Sequence, residues 1–321
     1  MPGFGIWIRN AGIGGAPARH SVSLPILLLA ALLFNAGVGI RTPELAGMFR
    51  NPFLLLGGLF LNLAVPLAFI FAVSFLTYAW HNQNEVQEIL VGLALVASMP
   101  IAGASSAWSQ ICEGSLALSL GLILSSTALS PLVIPFVLHT AGFVTTGDYS
   151  EDLHELASGG AASFVGIWVI LPALLGMALR YLAGEQCVAR AGAYLKLTNY
   201  CVLLLLNYSN ASLALPDIIA HPDFDFLFIM LLIVLAYCVS GFATGYLLSR
   251  AAHGSDPEKF SLIFGLGMSN NGLGLVLASV ALADHPLVML PVISFNLVQN
   301  LVASIVARAT ARKPPLAPPA R

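Results

Sequence analysis

The sequence predicts an all-α polytopic membrane protein: nine transmembrane helices in an inverted-repeat fold with two crossing discontinuous helices. Three observations predict it. Of 321 residues, 58% are apolar and only 9% charged, with a mean hydropathy of +0.88, well outside the composition of a soluble domain. Two long apolar segments are interrupted at their middles by small and polar residues, at 99–113 (MPIAGASSAWSQICE) and 265–274 (GLGMSNNGLG). The basic residues fall on one side of the predicted spans.

Taken in order, apolar runs of about 20 residues cover 23–40, 52–80, 86–112 and 114–139. After a polar stretch come 163–181, 194–215, 224–248, 258–283 and 286–309. With nine spans, eleven of the thirteen Lys and Arg residues share one face: Arg41, Arg50, Arg180, Arg190, Lys196, Arg250, Lys259 and the four after 307. Basic residues in short loops stay cytoplasmic, so the N-terminus is expected outside an inner (plasma) membrane and the C-terminus inside.

Residues 1–22 lack the apolar core of a cleavable signal and read as an extracytoplasmic tail. Residues 310–321 (KPPLAPPAR at the end) read as a Pro-rich disordered cytoplasmic tail. The single membrane domain is 23–309. Cys112, Cys187, Cys201 and Cys238 have no metal-ligand spacing and read as free thiols.

The chain also resembles itself. Asn35-Ala-Gly-Val-Gly-Ile followed by Pro43-Glu44 is matched by Asn210-Ala-Ser-Leu-Ala-Leu followed by Pro216-Asp217, and the three spans after each copy correspond at a fixed offset. The repeats are 23–139 and 194–309, with 163–181 unpaired. An offset of five spans, an odd number, inverts the second copy, as is common in secondary transporters. A partner for the unpaired span would precede residue 23, so the plan is one of ten helices lacking the first.

Irregular backbone at mid-membrane survives only where it is buried in protein or lines a watery cavity. Two symmetry-related interruptions therefore point to a transporter's substrate and ion site. The second half-helices, starting near Ala104 and near Asn270, aim free amides and partial positive charge at the centre, favouring an anion. Expected substrate-lining residues are Ser105, Ser106 and Ser109 on one broken helix, Asn270 and Asn271 on the other, and Asn296 and Asn300 on the last span, with Gln299 beside them. Asn35 and Asn210 read as helix-end caps.

Three segments resemble the bile acid:sodium symporter family. Residues 114–135 (GSLALSLGLILSSTALSPLVIP) are similar to its G-N-x-A-L-S…S-T-L…P run, 267–278 (GMSNNGLGLVLA) to its G-M-Q-N-x-G-L-A run, and 34–52 (FNAGVGIRTPELAGMFRNP) to its M-G-L-T-L-T…P start. The resemblance implies a panel of the first, fifth and sixth spans with the flanking second, rocking against a core of the rest.

The resemblance also implies a sodium site, but an eroded one. Ser105 and Ser119 keep the family's serines. Ser106 stands for Asn, Ile123 for Ser or Thr, Asn62 and Ser269 for Gln, and Gly265 for the Glu that serves both sodium sites. The expected metal set is thus a single weakened sodium site of Ser105, Ser119, Ser269 and Asn62, little sodium dependence, and strengthened sodium binding on Gly265→Glu. No other cofactor is expected.

The functional expectation is a secondary transporter, not an enzyme, moving a small organic anion, bile-acid-like or another carboxylate, by alternating access. Its partners are that substrate and the lipid bilayer, and no nucleic acid. The alternatives are a channel, or a non-transporting receptor or scaffold that keeps the fold. A serine hydrolase is disfavoured because no His lies at membrane depth. Small pairs such as Gly37 and Gly39 serve contacts within or between chains, which leaves stoichiometry open.

Overall fold

The computed structural model describes residues 24–40, 47, 50–220, 222–282 and 284–310. The two expected tails, apart from residue 310 at the end of the last helix, and the Arg41 and Pro43-Glu44 signals lie outside the described residues. Among the described residues the chain is helical, with one isolated β-bridge.

The elements in order are α1 (Leu24–Gly39), α2 (Pro52–Leu76), α3 (Gln83–Ser98), α4 (Ala104–Ile111) and α5 (Leu116–Gly142). Then follow α6 (Asp148–Gly159), α7 (Ala161–Ala183), α8 (Glu185–Ala220), α9 (Phe224–Ala251), α10 (Asp256–Gly267), α11 (Asn271–Ala281) and α12 (Pro286–Thr310). α2, α5, α7, α9 and α12 are each long and apolar enough to cross a membrane. α6 is an amphipathic helix in the stretch that read as a polar connection.

Each interrupted span is two helices. α3 stops at Ser98 and α4 starts at Ala104, while α10 stops at Gly267 and α11 starts at Asn271. Pro100 lacks an amide to continue α3. α10 begins on a capping box from Ser255 to Glu258, which satisfies the amides a helix start leaves bare.

α3 is the centre of the core. From Ile89 to Val96 its apolar side chains are at most 2% exposed, as expected of a helix that is apolar all round and enclosed by others. The outer surface is the reverse: Phe53, Phe60, Phe75, Leu132 and Phe228 are each more than 60% exposed. A belt of bare aromatic and aliphatic side chains fits hydrocarbon surroundings, not water.

Two tight helix pairs frame the molecule. α1 packs on α7 where Gly37 meets the Ala173 carbonyl and Gly176 meets the Phe34 carbonyl, so closely that a β-carbon at either would overlap the opposing backbone. Gly37 therefore serves a contact within the chain. α9 packs on α10 through Gly241 and Gly245 against the Leu266 and Leu262 carbonyls. Small residues allow this approach of backbones, the usual device of membrane helix pairs.

α2 departs from the expected division. It packs on α3, α5, α9 and α10, where Gly58 admits Leu122 and Leu262, and so sits with the core elements and not with α1, α7 and α8. Asn35 also departs from expectation. It is buried within α1 and donates to the Leu195 carbonyl and to Asn199 Oδ1, both at 2.7 Å, joining α1 to α8 instead of capping a helix.

Candidate functional site

The two interruptions meet. Ile101 and Ser269 form an antiparallel bridge, flanked by hydrogen bonds from Ala102 N–H to the Met268 carbonyl (3.0 Å) and from Asn270 N–H to the Pro100 carbonyl (2.9 Å). The remaining amides of the bridged pair turn to side chains of α5 and α12, the long helices that follow the two broken pairs. Ile101 N–H donates to Ser126 Oγ on α5 (3.1 Å), and Ser269 N–H donates to Gln299 Oε1 on α12 (3.0 Å). Buried backbone must be paired, and here α5 and α12 each supply one side-chain acceptor.

A cavity of about 680 Å³ opens beside this bridge. One wall is α1 and α8, with Leu29, Leu33, Gly39 and Asn199; the other is the start of α4 and α11, with Gly103, Ser106, Asn270 and Gly272, completed by Asn296 and Asn300 of α12. None of the described lining residues carries a charged side chain. Polarity comes from amides, hydroxyls and two helix N-termini, which favour an anionic group.

The structure distributes the expected site residues unevenly. Ser106, Ser269, Asn270, Asn271, Asn296 and Asn300 line the cavity. Ser106 Oγ donates back to the Gly103 carbonyl at 2.9 Å, and Asn300 Nδ2 to the Asn296 carbonyl at 2.9 Å. Asn271 is 2% exposed, and neither its amide nitrogen nor its carbonyl oxygen has a hydrogen-bond partner. Ser105 Oγ is buried and unpartnered in the same way. An unmet buried polar atom costs about 1–3 kcal/mol, so these two side chains are suited to meeting something that comes and goes.

Ser109 lies away from the cavity. It is fully buried in a chain of hydroxyls, where Ser119 Oγ donates to Ser109 Oγ and Ser109 pairs with Ser261, both at 3.2 Å. Ser261 then reaches the Ser115 carbonyl at 2.8 Å. Three of the four expected cation ligands fall in two places. Asn62 and Ser269 share a small cavity of about 20 Å³ with Gly267 and Thr244, whereas Ser119 sits in the hydroxyl chain between α4, α5 and α10.

The space next to Gly265 is tight. A β-carbon there would come 3.0 Å from Leu122, and Leu122 belongs to a dry cluster with Leu54, Leu118, Leu262 and Leu266. Among the described residues no group of three or more His, Cys, Asp or Glu side chains converges as a metal site. All four cysteines are free.

Two site residues carry more than their sequence context suggested. Gln299 closes the bridge as well as standing beside Asn296, from which it is 3.2 Å. Asn199 lines the cavity and holds Asn35. Its only signal in the chain was a lone amide at the start of an apolar run.

A helical membrane protein with two broken helices bridged beside a polar, uncharged cavity has the architecture of a secondary transporter. The chain belongs to the sodium bile acid symporter family, whose family model matches residues 26–221, more than half its length. Two relatives from Bacillus subtilis (strain 168) align over most of both chains. The uncharacterized protein YbaS is 24% identical over 280 residues, covering 85% of this chain and 84% of its own. The uncharacterized sodium-dependent transporter YocS is 21% identical over 302 residues, covering 93% and 87%.

Proposed function

We propose that this protein is a nine-span secondary carrier of a small organic anion that works by alternating access. The observation that carries the reading is the Ile101–Ser269 bridge, which points the amide ends of α4 and α11 at an uncharged cavity of about 680 Å³ between α1/α8 and the remaining helices. A carboxylate or sulfonate is received there by peptide dipoles and by Ser106, Asn270 and Asn296, while Leu29 and Leu33 face its apolar body. The acceptors Ser126 and Gln299, each on the long helix that follows a broken pair, support the inverted repeat.

Rocking of α1, α7 and α8 against the rest would open the cavity to each side in turn. The basic loops favour an outside N-terminus and an inside C-terminus in the inner membrane. Sodium coupling is weak in this reading. Ser105 has an unmet hydroxyl to offer a cation, yet position 265 offers no carboxylate, and a terminal methyl of Leu122 lies 3.0 Å from where a β-carbon at that position would be.

The test is uptake into proteoliposomes of labelled 2-oxoisovalerate, pantoate and taurocholate, with and without a sodium gradient. Saturable uptake with counterflow of one or more is expected. Binding without flux indicates a receptor, and fast non-saturating conduction a channel; either outcome overturns the proposal.

A further inference from the structure

We propose that Arg180 forms a second organic-anion station next to the central cavity, where the carboxylate of a passing substrate exchanges with Glu185. The inference rests on the carrier reading above and extends it to the path by which substrate leaves or arrives.

A second cavity, of about 590 Å³, lies where α1, α7 and α8 converge, and its lining includes Asn35, Val38, Arg180 and Glu185. Gly39 and Asn199 line this cavity and the central one alike, so the two adjoin across that pair. Among the described residues lining either cavity, Arg180 is the only cationic side chain. It stands in the last turn of α7, next to the start of α8 that carries Arg190, the side the charge distribution assigns to the cytoplasm.

The guanidinium is held ready. Its side chain is 11% exposed, and Nη1 donates to the Val38 carbonyl at 2.9 Å, in the last turn of α1. A helix C-terminus with its bare carbonyls favours a cation, which fixes the group without consuming its charge. Its acidic partner is held loosely. Nη2 donates to Glu185 Oε1 at 3.4 Å, and Glu185 is 71% exposed. An exposed pair of that geometry contributes little and gives way readily.

An organic carboxylate arriving from the central cavity meets five fork-arranged donors, of which these two contacts use two. It can bind bidentate, as a carboxylate does on arginine, while Glu185 turns to water. Arg180 thus provides the positive charge that the central cavity lacks, one step along the route. Glu185 refills the guanidinium when the substrate has gone. A purely structural clamp on α1 would make the same Val38 bond but would give Glu185 no part.

The experiment titrates the purified full-length chain in detergent with 2-oxoisovalerate, pantoate and taurocholate at fixed sodium and ionic strength, by calorimetry. Asn270→Leu serves as the central-site control. In a component that survives Asn270→Leu, Glu185→Gln should tighten carboxylate binding about threefold, the scale of an exposed pair. Arg180→Gln should weaken that component at least about tenfold, and Arg180→Lys should fall between, having charge without the fork. Wild-type binding in Arg180→Gln and Glu185→Gln, or shifts of both in one direction, overturns the station and leaves the carrier reading intact. No binding of any of the three by the wild type overturns the carrier reading and the station with it. Should Arg180→Gln fail to fold, the sign of the Glu185→Gln shift decides alone: tighter binding upholds the station, unchanged or weaker binding ends it.

Discussion

Gln299 Oε1 accepts the backbone N–H of Ser269 at 3.0 Å, and Gln299 is itself only 3% exposed. The amide side chain thereby completes the pairing of the broken backbone. Replacing it with Leu keeps the volume but leaves the Ser269 N–H without an acceptor. We expect Gln299→Leu to cost about 1–3 kcal/mol and to abolish uptake, read as a lowered melting temperature and a lost initial rate. A variant with unchanged melting and flux would show that water or a neighbour replaces this acceptor.

Ser105 separates stability from function. Because its hydroxyl has no partner, Ser105→Ala removes an unmet polar atom, and the melting temperature should stay level or rise, by about 1 kcal/mol or less. Uptake should nonetheless fall. Ser105→Leu and Asn270→Leu should abolish transport while the protein still inserts and purifies, as checked by membrane yield and gel filtration. Normal uptake kinetics in both Leu variants would count against the site.

The packing beside Gly265 makes a specific statement about sodium. Exchange of external sodium for potassium should leave the initial uptake rate unchanged. The sequence-based expectation that Gly265→Glu strengthens sodium binding meets a packing cost, because a terminal methyl of Leu122 stands 3.0 Å from where the new β-carbon would be. Overpacking of this kind costs about 1–3 kcal/mol. Gly265→Glu should therefore destabilise, and Gly265→Glu with Leu122→Ala should recover stability and gain sodium stimulation. A steep sodium dependence of the unaltered chain would refute this account.

The α1–α7 pair is a contact of backbones. Gly176 faces the Phe34 carbonyl with no room for a side chain, so Gly176→Leu must part the two helices. We expect a loss of stability of about 1–3 kcal/mol or more and reduced membrane yield, whereas Gly192→Ala, where no heavy atom lies within 4 Å of an added β-carbon, should behave as wild type. Equal yields for the two would mean that the close pair is dispensable.

Much of this architecture was legible in the chain. A composition this apolar admits only helices or closed barrels in a bilayer, and the runs read as helical spans. The breaks were legible because Pro100 and the Gly-Met-Ser-Asn-Asn-Gly stretch cannot continue an apolar helix without leaving polar groups to be satisfied. Their partners were not. That Ile101 pairs with Ser269, 168 positions away, or that Ser126 and Gln299 close the pair, depends on helices brought together by packing, which local periodicity does not encode. The same holds for the serines of α4: Ser106 lines the cavity, whereas Ser109 faces the hydroxyl chain of Ser119 and Ser261. Ser105 and Ser109, one turn apart, share the buried face of α4, and only the neighbours packed there decide what each hydroxyl meets.

The sequence by itself determined that this protein is helical, membrane-embedded and interrupted twice, because hydropathy and backbone chemistry act locally and leave marks within a window of residues. Tertiary structure alone decided that α2 joins the core, that Leu122 crowds the space beside Gly265, and that Arg180 lies at a cavity adjoining the central one. Those are matters of volume and distance between segments far apart in the chain, and close packing settles them only when every helix is in place.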